Sequence, residues 1–389
     1  PSHGRGHWFD PSIAHGSYTG GPVERTRRDA GLSTANPRSF YGARPNTSLS
    51  TRVLNAVRRG LRRTNSSALG AVSRALYIRA TQRRGKHLGE QQRVLLSLVQ
   101  PHDPLKRETS LPAIDLVVPF VEKDLRSLEL VLQQALLNVR NPISRIVLIT
   151  PQNSENTGPR FTREESHHIL ADIMGSHSNI VLRHDQDVLG PEILAELESR
   201  FGKGDRNAGW VTQQLIKLSA ALASEAPASL ILDADTLLLS KKTWLNSSGR
   251  QLLQLANEYH TDFMKHTLKH FGVPKELKMS FVTHHQLMQT DVVRHMFPEG
   301  GASLVAWWKS STDAIGRDLG DYEVYGAFLA HHYPARVAHG SFANLFSPHL
   351  TSFLADRERT GWSPERLIPG YCSVSFHSWA QVDRADRGD

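Results

Sequence analysis

A single cysteine, Cys372, stands among 389 residues. No internal disulfide can form, and a reducing cytosol is the easier home for such a chain. Nowhere does an apolar run reach the roughly 18–20 residues that a membrane-spanning helix needs. The N-terminus lacks a signal-type apolar stretch; a leader removed ahead of Pro1 would leave no trace. Aromatic residues are thin in the first 110 positions (Trp8, Phe9, Tyr18, Phe40, Tyr41, Tyr77), so no base-stacking platform is evident there.

What is present is an apolar fraction of 39%, enough for a large core and for a globular protein rather than a disordered one. The net charge of +8 is unevenly placed. Residues 1–110 hold 17 Arg and 2 Lys against 6 acidic groups, a local +13, while the other 279 residues carry 27 basic and 32 acidic groups, or −5. Residues 1–48 mix Gly, Ser, Pro, Asn and His without period and read as a flexible basic arm. Over 49–110, Leu54, Val57 and Leu61, then Leu69, Val72 and Leu76, fall at helical spacing between arginines, the pattern of short basic amphipathic helices. Three partners suit this segment: an anionic membrane surface, the rest of the protein or another subunit, and, less well, nucleic acid. A cytoplasmic protein, peripheral on the inner membrane face, is the expectation.

From Ile114 the texture changes to strands alternating with helices. "IDLVVPF" reads as a strand. "EKDLRSLELVLQQALLNV" follows as a helix, with apolar residues at Leu125, Leu128, Leu132, Leu136 and Val139. "SRIVLIT" and "NIVLRHD" are further strands, with a helix "REESHHILADIM" between them. "PEILAELESRF" opens on a proline suited to a first helical position. "GWVTQQLIKLSAALASE" is a helix that delivers the chain into "SLILDADTLLLS". The helices "LLQLANEYHTDFMKHTLKHFG" and "ASLVAWWKSSTDAIG" would form a variable half for an acceptor, with Trp307 or Trp308 either stacking on a sugar or lying in the core. Such alternation predicts an α/β fold with a mixed, mostly parallel sheet flanked by helices over 111–380 and a polar tail at 381–389.

Asp233 and Asp235 interrupt an apolar stretch where such a sheet holds its ligands, at the carboxyl ends of its strands. A buried carboxylate without a partner costs several kcal/mol or takes up a proton, so something cationic is expected beside them. Two closely spaced aspartates suit Mg²⁺ or Mn²⁺, which would neutralise a nucleotide diphosphate leaving group. Haloacid-dehalogenase-type phosphatases also end a strand with Asp-x-Asp, but there the motif opens the domain and the threonine lies one residue further on. A non-catalytic basic scaffold or nucleic-acid-binding protein is the remaining alternative.

Taken together, "DLVVPFVEKDL", "NPISRIVLITP", "GWVTQQLIKLSA", "LILDADTLLL", "SFVTHHQLMQTDVV" and "DYEVYGAFL" resemble a bacterial domain-of-unknown-function family assigned to polysaccharide glycosyl transfer, with the GT-A nucleotide-sugar transferase fold, from Ile114 to about Trp379. The resemblance implies a nucleotide diphosphate sugar as donor and a polysaccharide or glycolipid hydroxyl as acceptor. It places the loop carrying Pro119, Phe120, Glu122 and Asp124 against the nucleotide, although Asp124 equally suits a helix cap. Gln214 and Lys217 share a helical face, and Lys217 would meet the diphosphate as a point charge. Asp233 would serve donor and metal together, Asp235 the metal, and His377, late in the chain, would be the third ligand. His284 and His285 are acceptor-contact candidates of which one alone can enter the site, since strand neighbours face opposite ways; the pairs His167/His168 and His331/His332 read as structural. Glu323 is the first choice for a base that takes the acceptor's proton and Asp321 the second. The family tends to show Ser-Glu-Tyr-Glu where this chain has Gly320, Asp321, Tyr322 and Glu323, which puts a role for Asp321 in doubt.

Overall fold

The computed structural model describes residues 103–106, 109–152, 163–175, 178–202, 205–256, 260–275, 280–311, 313, 316, 318–342, 344–346 and 371–376. All belong to one unit, Pro1–Ala14 with Leu88–Asp389; the second unit, His15–His87, lies outside the described residues, as do the basic arm, nearly all of the basic helical segment and the polar tail.

Strand β1 (Ile114–Pro119) leads through the turn Glu122–Asp124 into helix α1 (Leu125–Asn138). β2 (Ile143–Thr150), α2 (Arg163–Gly175), β3 (Ile180–His184), α3 (Asp185–Leu189), α4 (Pro191–Phe201), α5 (Arg206–Ala223) and β4 (Ala228–Leu232) follow. After β4 come β5 (Thr236–Leu238), β6 (Gln251–Leu255), α6 (Thr261–Phe271), β7 (His285–Gln289), α7 (Thr290–Met296), α8 (Gly301–Lys309), α9 (Asp321–His332), β8 (Val337–Ser341), β9 (Asn344–Phe346) and β10 (Ser373–Ser375).

The central sheet has the order β3-β2-β1-β4-β7. Its first four strands run parallel, and β7 closes the edge antiparallel to β4. Every residue of β1 and β4 is buried, as expected of central strands covered on both faces. Leu116, Val118, Leu230 and Leu232 face the apolar side of α1 (Leu125, Leu128, Leu132, Ala135), whereas Val117 and Ile231 face α5 (Val211, Leu215, Leu218). The sheet is thus mixed, mostly parallel and flanked by helices, as the alternation predicts. A three-stranded sheet, β5-β10-β9, and a parallel pair, β6-β8, complete the described residues.

One element departs from the expected pattern. The stretch 252–272 reads as one helix, but Gln251–Leu255 is strand and Thr261–Phe271 alone is helix. Leu252 joins one core cluster and Leu253 and Leu255 the other. Over five residues buried on both faces, the periods of strand and helix cannot be told apart. Trp307 and Trp308 are buried in the core against α5 and its neighbours.

Candidate functional site

β4 ends at Leu232, whose antiparallel partner is His285. One step beyond, Asp233 N–H donates to the His284 carbonyl at 2.9 Å, so the edge of the sheet brings these residues together. The chain then turns, with Thr236 N–H donating to the Asp233 carbonyl at 3.0 Å. Ser127, in the first turn of α1, donates to the carbonyls of Asp124 (2.8 Å) and Ala234 (3.0 Å). The loop after β1 is thereby tied to the Asp233-Ala234-Asp235 turn. Phe376 N–H donates to the Asp235 carbonyl at 2.8 Å, and Ser375 Oγ meets Thr236 Oγ1 at 2.9 Å. His377, next in the chain, lies outside the described residues.

The cation expected beside Asp233 is supplied by the chain itself. Lys217 on α5, its side chain 3% exposed, places Nζ 2.7 Å from Asp233 Oδ1 and 3.3 Å from Asp321 Oδ2. Its ammonium also lies 4.3 Å from the centre of the Tyr322 ring, within cation–π range. Tyr322 O–H donates to Asp233 Oδ1 at 3.0 Å, and His284 Nδ1 stands 3.3 Å from Asp233 Oδ2. Burial works against ionisation of Asp233, but the charge of Lys217 and the bond to His284 outweigh it and hold the carboxyl well below the usual range. Burial likewise disfavours the Lys217 ammonium, and Asp233 and Asp321 more than offset it, so its pKa is raised.

Asp321 opens α9. Its N–H donates to Gln214 Oε1 at 2.9 Å, so Gln214, buried on α5, fixes the start of α9. Among the described residues, Asp321 Oδ2 has no partner beyond the Lys217 ion pair. Burial raises the pKa of Asp321; Lys217 opposes this and Asp233 adds to it. Gly320 makes the approach possible. A Cβ at this position would stand 2.8 Å from the Phe263 ring, closer than side chains tolerate, which gives a steric reason for glycine where the resembled family carries serine.

Glu323, two residues on, belongs to a different neighbourhood. Its carboxylate is fully buried and accepts from Lys275 Nζ (2.6 Å), Ser280 Oγ (3.2 Å) and Phe281 N–H (2.8 Å). These are the bonds of a structural anchor. Gly326, one turn along, lets Phe281 lie against the helix, since a Cβ there would be 2.4 Å from its ring.

The two histidines diverge, though not by strand alternation, since β7 begins only at His285. His284 turns toward Asp233, whereas His285 is buried with Nε2 2.8 Å from Gln254 Oε1 and its ring edge-on to Trp244 at 5.5 Å. Burial, helped by the nearby charge of His284, pushes His285 down to about 3; it is a neutral core histidine. Phe120 is buried in the core beside α1, and Pro119 is buried within β1, so the β1 loop offers Glu122 and Asp124 rather than these two side chains. Asp124 Oδ2 accepts the Val121 N–H at 3.1 Å and so closes the Glu122–Asp124 turn; it stands at the N-cap of α1 but its side chain makes no capping bond to that helix, contrary to the helix-cap expectation. Burial raises Asp124 to about 6; Lys123 opposes it, and Asp235 and Asp233 add to it to a smaller extent.

Asp124, Asp233 and Asp235 therefore form an acidic group, with Asp321 on the far side of Lys217. No cluster of three or more His, Cys, Asp or Glu arranged to hold a metal is found among the described residues. The chemistry of the donors nevertheless fits a hard divalent cation. Asp233 and Asp321 share the one buried Lys217 ammonium, and Asp235 and Asp233 add to the burial that raises the pKa of Asp124. Tyr322 and Ser127 were not assigned from the sequence. A phenol at the start of a helix and a serine three residues after a capping aspartate carry no functional pattern of their own.

No protein-family model matches the chain, and no curated protein matches it. Among solved structures, the chain is similar to mouse xyloside xylosyltransferase 1 in its apo form, with 13% identity, 68% of this chain and 98% of that one covered, and a TM-score of 0.38. It is also similar to the galactosyltransferase LgtC in complex with donor and acceptor sugar analogs (12% identity, 68% and 87% covered, TM-score 0.33). A third likeness is to the bifunctional glycosyltransferase WbbM in its apo form (10% identity, 68% and 46% covered, TM-score 0.35). All three lie at 13% identity or below, and the fold stands on its own topology, a mixed and mostly parallel sheet flanked by helices.

Proposed function

We propose that the chain is a glycosyltransferase of GT-A type, moving a sugar from a nucleotide diphosphate sugar to a hydroxyl of a polysaccharide or glycolipid precursor. The observation that carries this reading is the acidic Asp233-Ala234-Asp235 turn at the carboxyl end of β4, tied by Ser127 to the loop after β1 and linked through Lys217 to Asp321. In an α/β sheet this edge is where nucleotides bind.

Asp235 and the Oδ2 side of Asp233 would hold Mn²⁺ or Mg²⁺, with His377 as the proposed third ligand. When bound, the metal supplies positive charge against the diphosphate leaving group. The remaining chemistry belongs to the chain. Lys217 and Tyr322 fix Asp233 Oδ1, so that carboxylate is oriented before any ligand arrives. Glu122 and Asp124 present acceptors to the nucleotide's ribose and base. Of the two carboxylates on α9, Asp321 is the preferred base. It faces Lys217 and Asp233, and its raised pKa suits proton uptake, whereas Glu323 is held by three donors. The basic segment 1–110 is proposed to hold the enzyme against an anionic membrane surface; no helix of the described residues is long and apolar enough to cross one.

The test is a thermal-shift panel of UDP, GDP and sugar nucleotides with and without MnCl₂, followed by assay for nucleotide release. A ligand that binds the folded chain raises its melting temperature by mass action, by about 2.7 kcal/mol of stability at a hundred times Kd. If no nucleotide shifts the transition, with or without manganese, the transferase reading falls.

A further inference from the structure

Among the described residues, His284 is the one non-glycine residue with positive φ, at +56°. A histidine tolerates this left-handed conformation better than most residues but does not choose it unaided. The surrounding contacts enforce it. On the N-terminal side, Ser280 pairs with Ala256 through both backbone groups (2.8 and 3.2 Å), and Phe281 N–H is held by Glu323 Oε2 at 2.8 Å. Val282 N–H donates to Ser280 Oγ at 3.0 Å, and Thr283 Oγ1 donates across the bend to the His285 carbonyl at 2.7 Å. On the C-terminal side β7 begins, locked to β4 by the register Leu232↔His285. Between two fixed ends, residue 284 takes up the whole change of direction.

This bend places two groups of one residue on Asp233. The His284 carbonyl accepts the Asp233 N–H at 2.9 Å, and its Nδ1 reaches Asp233 Oδ2 at 3.3 Å. Lys217 and Tyr322 hold the other oxygen. The imidazole packs near the Phe342 ring, with centroids 5.8 Å apart, which limits its rotation.

We propose that His284 is a positioning residue, a strained clasp that fixes the backbone and the Oδ2 oxygen of Asp233 and so aims the Asp233-Ala234-Asp235 turn, rather than a contact for the acceptor. The role of the turn rests on the transferase reading; the clasp itself does not. Glu323 belongs to the same device at one remove, because it anchors the segment that forces the bend.

Three variants separate the parts. His284→Asn accepts positive φ and can donate an amide N–H in place of Nδ1. His284→Gly keeps the backbone and loses the side-chain bond. His284→Ala loses the bond and strains the bend. Two measurements are made on the full chain. The first is a double-mutant cycle of His284→Ala and Asp233→Asn, read as melting temperature without ligand. The expected result is coupling, with the double variant at least about 2 °C more stable than additive shifts predict; additivity overturns the clasp. Should His284→Ala not fold, the cycle is run with His284→Gly. The second is calorimetric titration with UDP plus MnCl₂, and with GDP plus MnCl₂. Asn is expected to keep affinity within about threefold of wild type, Gly to lose about tenfold and Ala more, without following the order of melting temperatures. Equal affinity in Asn and Ala overturns the positioning role, as does a set of variants that bind like wild type and lose only transfer to the acceptor, which would restore His284 to acceptor contact. If wild type itself binds neither nucleotide, the transferase reading fails and the aiming role with it, while the ligand-free cycle still decides the clasp.

Discussion

Two buried lysines each meet a carboxylate from the first turn of α9, and the two pairs behave differently. Lys275 and Glu323 form a closed pair: one ammonium, one carboxylate, and two further donors, Ser280 Oγ and Phe281 N–H, that satisfy the acid. Burial lowers the Lys275 pKa, and Glu323 offsets this in part. Lys217 sits between Asp233 and Asp321, two acids for one ammonium, and its pKa is raised. Asp233 keeps 15% of its side chain exposed, whereas Glu323 keeps 1%. A saturated, sealed ion pair holds elements together. An acid-rich group at a strand tip, two carboxylates to one ammonium and partly open, is suited to receive something.

Removing each lysine tests that difference most strongly. Lys217→Met leaves Asp233 and Asp321 facing each other without a cation, and breaking a buried pair in this way typically costs about 3–5 kcal/mol. Lys275→Met leaves Glu323 with two donors and is expected to cost less, about 1–3 kcal/mol. Urea unfolding of both variants at neutral pH measures the gap. An equal or larger loss in Lys275→Met would show that the two pairs do the same job.

The carboxylates should separate in the opposite sense when activity is read. Asp321→Asn is expected to lower the transfer rate about a hundredfold or more, with stability within about 1 kcal/mol of wild type because a poorly satisfied buried charge is removed. Glu323→Gln is expected to reduce stability by about 2 kcal/mol through its lost charge-assisted bonds, with a far smaller loss of rate than Asp321→Asn in the fraction that remains folded. A rate unchanged in Asp321→Asn would withdraw the base and leave a transfer that needs none.

Much of this arrangement was legible in the sequence, for identifiable reasons. Alternating strand and helix patterns exposed the sheet because β1 and β4, buried on both faces, are written as continuous apolar runs. Asp233 and Asp235 stood out because charge inside such a run demands a partner. The identity of that partner was less accessible. Lys217 was read as a ligand for phosphate, yet it bonds Asp233 across the gap between α5 and β4, a tertiary contact that no local spacing encodes. Ranking Glu323 above Asp321 had no geometric footing, because two positions on a helix lie on different faces and nothing in the string says which face meets the site. Gly320 had a reason visible only once Phe263 was beside it.

A smaller effect is expected at Tyr322, which distinguishes the Lys217 group by a phenol that the Lys275 pair lacks. Tyr322→Phe removes one hydrogen bond to a charged acceptor that Lys217 still holds, at the low end for such bonds, about 1.5 kcal/mol. The ring and its contact with Lys217 remain. Nucleotide affinity measured with manganese should fall by a few-fold; a variant indistinguishable from wild type in both measurements would show that Lys217 alone orients Asp233.

The smallest change concerns the charge left over at Asp124. Its pKa is raised from 3.8 to about 6 by burial and by Asp235 and Asp233. Between these values the folded state holds a proton that the unfolded state has released, so its contribution is fully present below pH 3.8 and is lost as the pH rises through 6. Asp124→Asn, neutral throughout and still able to accept the Val121 N–H, lacks that slope. Matched at pH 3.5, the variant should be more stable than wild type by about 1 kcal/mol at pH 7. A divalent ion bound at the acidic turn would neutralise the same charge, so MnCl₂ should close the gap by stabilising wild type more than the variant. Parallel pH profiles for the two proteins would mean that Asp124 does not feel Asp233 and Asp235, and the excess negative charge that singles out this strand tip from the sealed Lys275–Glu323 pair would be confined to the neighbourhood of Lys217.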